Sequence, residues 1–344
     1  MVHAHTLDSW TREVDRNTQA YYRLQWAGGA ASALFLFLAG VATAMSAESK
    51  TRQAGSREAG ARAARRRGLE IFVLAFIFRL QAELLGFGPL SSMLKVDMLN
   101  VMGLSMIAAA FLWQALPSRT WRAGGFAAAT ALITVLTPLV RAVPWLAGLP
   151  DPIEAYLRPA GGYSAFALFP WAGYLFAGVL AGELIDAVRA TRRNPVRLQL
   201  SLAAAGIAGG AAAYVASYQP ALFPTASFWH DSPTIFFLRL ATVTTLVPIA
   251  WVIETLSERG GLPLKPFRAM VTMGRSSLFV YWIHVEMVYG VIAEPIKRTL
   301  PLWLDQLAWL AMCGLLYGIV LLKNRLMEGY ELPPRMRIFA AVLR

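Results

Sequence analysis

Cysteine, charge and enzyme signature motifs are all scarce in this sequence, and each scarcity closes off a class of protein. Cys313 is the single cysteine and sits inside an apolar stretch. It has no intramolecular partner, which excludes a disulfide framework and a cysteine-based metal site. Charged residues make up 15% of the chain against 57% hydrophobic, where a soluble domain carries about a quarter charged. A soluble protein of 344 residues needs more polar surface than that, so lipid is the expected solvent for much of the chain. Phosphate-cradling Walker loops, H-E-x-x-H and G-x-S-x-G are all missing, as are the chemistries they carry. No two histidines share a helical face at ligand spacing, so no metal is expected. Residues 1–22 have no apolar central region and therefore do not read as a cleavable signal peptide.

What is present is apolar length. A hydrocarbon core of about 30 Å needs roughly 20 helical residues to cross it. The runs 24–46, 68–87, 97–116, 121–140, 163–185, 198–217, 234–255, 269–293 and 302–322 have that character. They predict an all-α polytopic transmembrane bundle of about nine spanning helices, a single transmembrane domain over 1–344. The short intervening segments carry the breakers Gly88-Pro89, Pro117-Ser118, Pro150-Asp151-Pro152, Asn194-Pro195, Gly260-Gly261 and Pro333-Pro334.

The net charge of +12 points to topology rather than to nucleic acid, because of where the basic residues fall. Alternate loops (47–67, 117–122, 186–197, 256–268 and 323–344) hold 21 of them, and the other set holds 8. Lys and Arg are retained in the cytoplasm. This split predicts a multi-pass protein of the bacterial inner (plasma) membrane, with a cytoplasmic tail at 323–344 and an external tail at 1–23. Scattered over five short loops, the basic residues suit anionic membrane lipid, and no nucleic-acid partner is expected. An external N-terminus without a leader predicts one more helix upstream of Met1 in the complete chain, entering from the cytoplasm and ending near Met1–His5.

Ionisable side chains within lipid are costly and therefore informative. All four histidines (His3, His5, His230 and His284) fall on the outer side of this topology. Histidine is the natural general base near neutral pH. Asp8 follows His5 by three residues, a spacing that lets a carboxylate orient an imidazole on one helical face or simply cap the helix. Arg79 and Glu83, four apart, are expected to pair. Asp97 and Asn100 share a face, with Gly103 allowing close backbone approach. Arg239 lies near the outer end of its helix. These five are expected to line an outward polar pocket or to form a buried structural network. In 269–293, Ser277, Tyr281 and His284 form one stripe, and Arg275 marks the cytoplasmic end.

Several stretches resemble a family of bacterial membrane proteins related to heparan-alpha-glucosaminide N-acetyltransferase. They are Phe35–Val41, Arg65–Glu70, Val96–Ser105, Phe169–Tyr174 with Gly178 and Gly182-Glu183, and Gly274–Glu286, whose Tyr281-Trp282-Ile283-His284 is similar to a late helix of the wider transmembrane acyltransferase group. The resemblance implies a bundle, ten helices in the complete fold, that moves an acetyl group from cytoplasmic acetyl-CoA to an external acceptor. It implies His5 or His284 as the base, with Asp8 supporting His5. It also implies Arg268, Arg275 and Ser277 near CoA, Arg79 or Asn100 at the developing oxyanion, and Glu83, Asp97, Arg239 and Tyr281 near the acceptor. The family places a histidine shortly before a tryptophan where this chain has Arg23-Leu24-Gln25-Trp26, and a D-P-E-G-type segment where it has Phe169–Gly173. Transfer to heparan glucosamine is therefore not expected. The expected acceptor is an external glycan or a lipid-linked sugar, and a homodimer is compatible with the chain. The same buried charges also suit a transporter or flippase, and a non-catalytic assembly factor is the third reading.

Overall fold

The computed structural model describes residues 1–86, 88–224, 226–260, 265–328 and 342. Gly261, Pro333, Pro334 and most of the expected tail 323–344 lie outside the described residues. The chain is a succession of helices: α1 (Val2–Trp10), α2 (Glu13–Arg16), α3 (Gln19–Ala54), α4 (Arg57–Gly86), α5 (Met98–Ala115), α6 (Arg119–Ala142), α7 (Asp151–Leu157), α8 (Leu168–Ala190), α9 (Val196–Ala216), α10 (Pro233–Glu258), α11 (Lys265–Arg275), α12 (Ser277–Tyr289) and α13 (Leu302–Met327). Among the described residues, seven of these (α3, α5, α6, α8, α9, α10 and α13) are long and apolar enough to cross a membrane. This is the all-α, multi-pass membrane protein that the sequence implies.

Two expected spans came out differently, each for a physical reason. Of the run 68–87, residues 68–86 are the second half of α4, where Glu70, Arg79 and Glu83 interrupt the apolar residues, and residue 87 lies outside the described residues. The run 269–293 is not one helix. It breaks at Ser276 (φ −104°, ψ 28°), ends α12 at Tyr289 and passes into a 3-10 turn at Val291–Ile296. Gly274, Ser276 and Ser277 are poor helix formers, and the break presents the Ser276 hydroxyl to the Nζ of Lys323 at 2.8 Å. At 13 residues, α12 extends only about 20 Å, short of the ~30 Å core.

The chain divides into two compact units. The first holds residues 1–31, 77–93 and those from 256 onward. Residues 1–18, expected as a tail, form two short helices here. In α1, Leu7 and Trp10 are buried, and the helix packs on α12 and α13. Its C-terminal end is pinned to the segment before α13: Arg298 N donates to Ser9 O at 3.0 Å, Leu300 N to Trp10 O at 3.0 Å, and Arg12 N to Leu300 O at 2.9 Å. The Ser9 hydroxyl and the Trp10 indole both donate to the Val288 carbonyl, at 3.1 and 3.2 Å. The carboxylate of Asp15 accepts from Leu302 N at 2.8 Å and closes the start of α13.

The second unit holds residues 32–76 and 94–255. Here α6 and α8 pack against each other, and α3 approaches α8 at backbone distance. A Cβ on Gly178 would lie 1.9 Å from Phe37 O, and one on Gly40 would lie 2.0 Å from Leu175 O. Van der Waals packing is the main attraction between helices in lipid, and only glycine admits this separation. One end of this unit carries a buried charge network. Arg122 Nε donates to Glu183 at 2.8 Å, and Arg122 Nη2 pairs with Glu48. Arg119 and Arg52 reach Asp186 at 2.7 and 2.9 Å, and the Trp113 indole donates to Glu183 at 2.7 Å. Three guanidiniums meet three carboxylates, so the cluster is neutral as a whole.

Candidate functional site

The first unit contains the one place among the described residues where two imidazoles meet. His5 projects from α1 and His284 from α12. Their rings stack with centroids 5.0 Å apart, and His284 Nε2 lies 3.0 Å from His5 Nδ1. The other ring nitrogen of His284, Nδ1, is 2.6 Å from the Val280 carbonyl one turn back. His284 is fully buried, at 1% exposure, while His5 keeps part of its surface. Burial pushes the His5 imidazole down to about 4, because removal from water disfavours its charged form. At neutral pH His5 is therefore uncharged and able to accept a proton.

Aromatic rings complete the surroundings. Tyr281 stands edge-on to His284 at 5.8 Å, and Tyr289 edge-on to His5 at 5.4 Å. Asp8 does not take the place beside His5 that its spacing suggested. Its carboxylate accepts from the Tyr289 hydroxyl at 3.1 Å and from Arg16 at 3.3 Å. The residue that engages the His5 imidazole is His284, 279 positions away in the chain. His3 belongs to a separate contact, with its Nε2 2.9 Å from Gln306 Oε1 and its ring against Trp309. His230 lies in an exposed loop with Ser227.

The remaining sequence candidates separate between the units. Arg79 and Glu83 belong to the first unit, where the Arg79 charge acts on Glu286 of α12, a partner the i, i+4 spacing did not suggest. Arg268, Arg275 and Ser277 are exposed there. The residue buried at the helix break is Ser276, which receives the hydrogen bond from Lys323. Lys323 is itself buried at 7% exposure, with its Nζ 5.4 Å from the Phe279 ring centroid. Among the described residues no carboxylate lies within salt-bridge range of this ammonium. Sequence reading missed Lys323 because it stands at the end of an apolar run and reads as a topology signal.

Asp97, Asn100 and Arg239 belong to the second unit. Asp97 and Asn100 form a reciprocal capping box at the start of α5: Asp97 Oδ1 accepts from Leu99 N at 2.9 Å, and Asn100 Oδ1 accepts from Asp97 N at 3.0 Å. This structural role accounts for their spacing. Arg239 acts on the hydroxyl of Tyr174, a side chain at 1% exposure. Of the five residues expected to line one polar pocket, Arg79 and Glu83 thus belong to the first unit and Asp97, Asn100 and Arg239 to the second. The Glu48–Arg122–Glu183 chain, by contrast, is a buried charge cluster that the sequence pointed to only through Gly182-Glu183. Among the described residues no group of three His, Cys, Asp or Glu side chains is placed to hold a metal ion.

No curated protein and no solved structure matches the chain. The sequence profile described as heparan-alpha-glucosaminide N-acetyltransferase, catalytic, matches residues 1–211. The matched region includes His5, Asp8 and the buried charge network, and it ends before His284. A profile covering well over half of a multi-pass membrane chain identifies its family: the protein belongs to the heparan-alpha-glucosaminide N-acetyltransferase catalytic family, a family of transmembrane acetyltransferases.

Proposed function

We propose that the chain is a transmembrane acyltransferase of the bacterial inner (plasma) membrane that moves an acetyl group from cytoplasmic acetyl-CoA to an external sugar or glycan, free or lipid-linked. The observation that carries this reading is the His5–His284 pair: a neutral, part-exposed imidazole held by a second, buried one. In the family to which the chain belongs, such a group has an evident task. The acceptor hydroxyl or amine gives its proton to His5 as its oxygen or nitrogen attacks the thioester carbonyl. The new C–O or C–N bond forms, the C–S bond breaks, and the departing CoA thiolate takes the proton back from His5.

The donor side follows from charge. The basic loops are cytoplasmic in this reading, and α11 and the end of α13 face that side. Arg268 and Arg275 offer exposed guanidiniums, and Lys323 offers a buried ammonium whose hydrogen bond is to a neutral hydroxyl. Cations of this kind suit the phosphates of CoA. We assign Arg79, which shares a unit with the imidazoles, to the developing oxyanion.

Purified protein in lipid nanodiscs, given acetyl-CoA and a panel of amino sugars, neutral sugars and lipid-linked sugars, should release free CoA thiol with one acceptor class. His5→Ala should lower turnover on the order of 100-fold or more, and Lys323→Met should raise the Kd for acetyl-CoA. Wild-type protein that fails to bind acetyl-CoA would remove this reading.

A further inference from the structure

The hydrogen bonds of the imidazole pair fix where its protons sit. A backbone carbonyl can only accept, so His284 Nδ1, 2.6 Å from Val280 O, carries a hydrogen. A neutral imidazole has a single N–H, which leaves His284 Nε2 as a bare lone pair. That atom faces His5 Nδ1 at 3.0 Å, so His5 Nδ1 is the donor between the rings. In the neutral pair the N–H of His5 is then used up, and its Nε2 is a lone pair. The chain of donation runs one way: His5 Nδ1–H to His284 Nε2, and His284 Nδ1–H to the Val280 carbonyl.

From this polarity we infer that His284 is not itself the base but a positioning residue, which holds His5 in its Nδ1–H tautomer and makes His5 Nε2 the atom that takes the acceptor's proton. The inference rests on the acetyl-transfer reading only for what the proton transfer accomplishes; the tautomer assignment rests on the two hydrogen-bond contacts and on the neutrality that burial imposes on both rings. Exposure agrees with it. His284 is sealed at 1%, and His5 is the imidazole that retains accessible surface. The backbone around the pair is held as well. The Val288 carbonyl, one turn beyond His284, accepts from both Ser9 and Trp10, so α1 cannot slide along α12 and carry His5 out of register.

The arrangement differs from a carboxylate–histidine couple in one chemical respect. The group behind the base is a neutral imidazole, so among the described residues no buried carboxylate is hydrogen-bonded to His5 to raise its basicity at rest. When Nε2 gains a proton, His5 becomes an imidazolium and its existing bond to His284 becomes charge-assisted and shorter. The stabilisation therefore develops with the transition state, which is where it accelerates the step. In the transfer, the acceptor's X–H bond breaks as its proton goes to His5 Nε2 and the X–C bond forms. The C–S bond then breaks, and the proton passes from His5 Nε2 to the leaving thiolate. No oxidant, reductant or further reactant is needed.

The test is the protonation pattern of His5 in the full chain. Protein labelled with 15N-histidine, in nanodiscs at neutral pH, gives separate Nδ1 and Nε2 shifts for each ring, and His3→Gln with His230→Gln leaves only the pair to assign. The expected wild-type result is a protonated Nδ1 and an unprotonated Nε2 on both rings. His284→Phe, which keeps a ring but loses the acceptor, should release His5 to the Nε2–H form and lower kcat on the order of 100-fold with KM little changed. His284→Gln, whose side-chain oxygen accepts a hydrogen bond, should restore part of both. A wild-type His5 protonated on Nε2, or a tautomer that His284→Phe leaves unchanged, overturns the inference whatever the protein transfers. The wild-type spectrum decides this even if the Phe variant does not fold. The expected tautomers in a protein that transfers no acetyl group would overturn the acetyl-transfer reading and leave the tautomer assignment in place.

Discussion

Replacing Arg122 with alanine should be among the most damaging single changes outside the imidazole pair, and the structure allows its size to be worked out. Arg122 is 4% exposed, and its two carboxylate partners, Glu183 and Glu48, are 3% and 7% exposed. The two losses are unequal. Glu48 keeps Arg119 at 3.5 Å and Arg52 at 3.9 Å, whereas among the described residues Glu183 keeps only the neutral Trp113 indole. Stripping one partner from a buried pair costs about 3–5 kcal/mol, because a charge stays behind uncompensated. The guanidinium also lies 4.7 Å from the Trp113 ring centroid, a contact worth roughly 0.5–2 kcal/mol. Arg122→Ala should therefore lose about 4–6 kcal/mol, most of it through the stranded Glu183 carboxylate and the rest through the Trp113 contact. Arg52→Ala should lose about 1 kcal/mol or less, since that side chain is half exposed at 51%. The double variant Arg122→Met/Glu183→Gln removes both charges and keeps an acceptor for Trp113, so it should recover most of the loss. Reversible unfolding in mixed micelles, followed by tryptophan fluorescence, separates the three. An Arg122→Ala loss below about 1 kcal/mol, or a double variant no better than the single, would refute the claim that Glu183 depends on this guanidinium.

Because burial holds the His5 imidazole at about 4 rather than near 6.5, and a base works only unprotonated, kcat/KM should persist as pH falls through 6.5 and decline only as it approaches 4; an acid limb between 6 and 7 would count against His5 as the base. Asp97→Ala should remove the α5 cap and cost about 0.5–2 kcal/mol, with Asp97→Asn and Asp97→Ser recovering most of the stability. Full stability of Asp97→Ala with loss of acceptor binding would instead make Asp97 a ligand residue. A reporter inserted within 54–66 should read cytoplasmic and one within 152–160 external, and the reverse pattern would overturn the orientation drawn from the basic loops.

How far the sequence reached depends on the range over which each determinant acts. Apolar runs declare helices in lipid because a spanning segment must satisfy its own backbone hydrogen bonds, and α3, α5, α6, α8, α9, α10 and α13 appear where those runs were read. The ends of α4 and α12 were harder to place. There the outcome depends on whether a helix stays continuous through charged or serine-rich residues, which neighbouring chain decides. Local spacing correctly joined Asp97 to Asn100, since a capping box is closed within one turn.

Spacing alone failed wherever the partner was remote. Asp8 stands three residues from His5, yet its carboxylate turns to Tyr289 and Arg16, and the hydrogen-bond partner of the imidazole is His284, 279 positions along the chain. Lys323 and Ser276 are 47 positions apart, and Arg122 is separated by 61 and 74 positions from Glu183 and Glu48. Composition, apolar length and the distribution of Arg and Lys by themselves determined that this chain is a multi-pass helical membrane protein, because those properties act through the solvent. Which imidazole is sealed, which nitrogen carries the proton and which buried charges neutralise one another were decided only by tertiary structure, because hydrogen bonds and ion pairs act over about 3 Å and only the folded chain brings such distant residues that close.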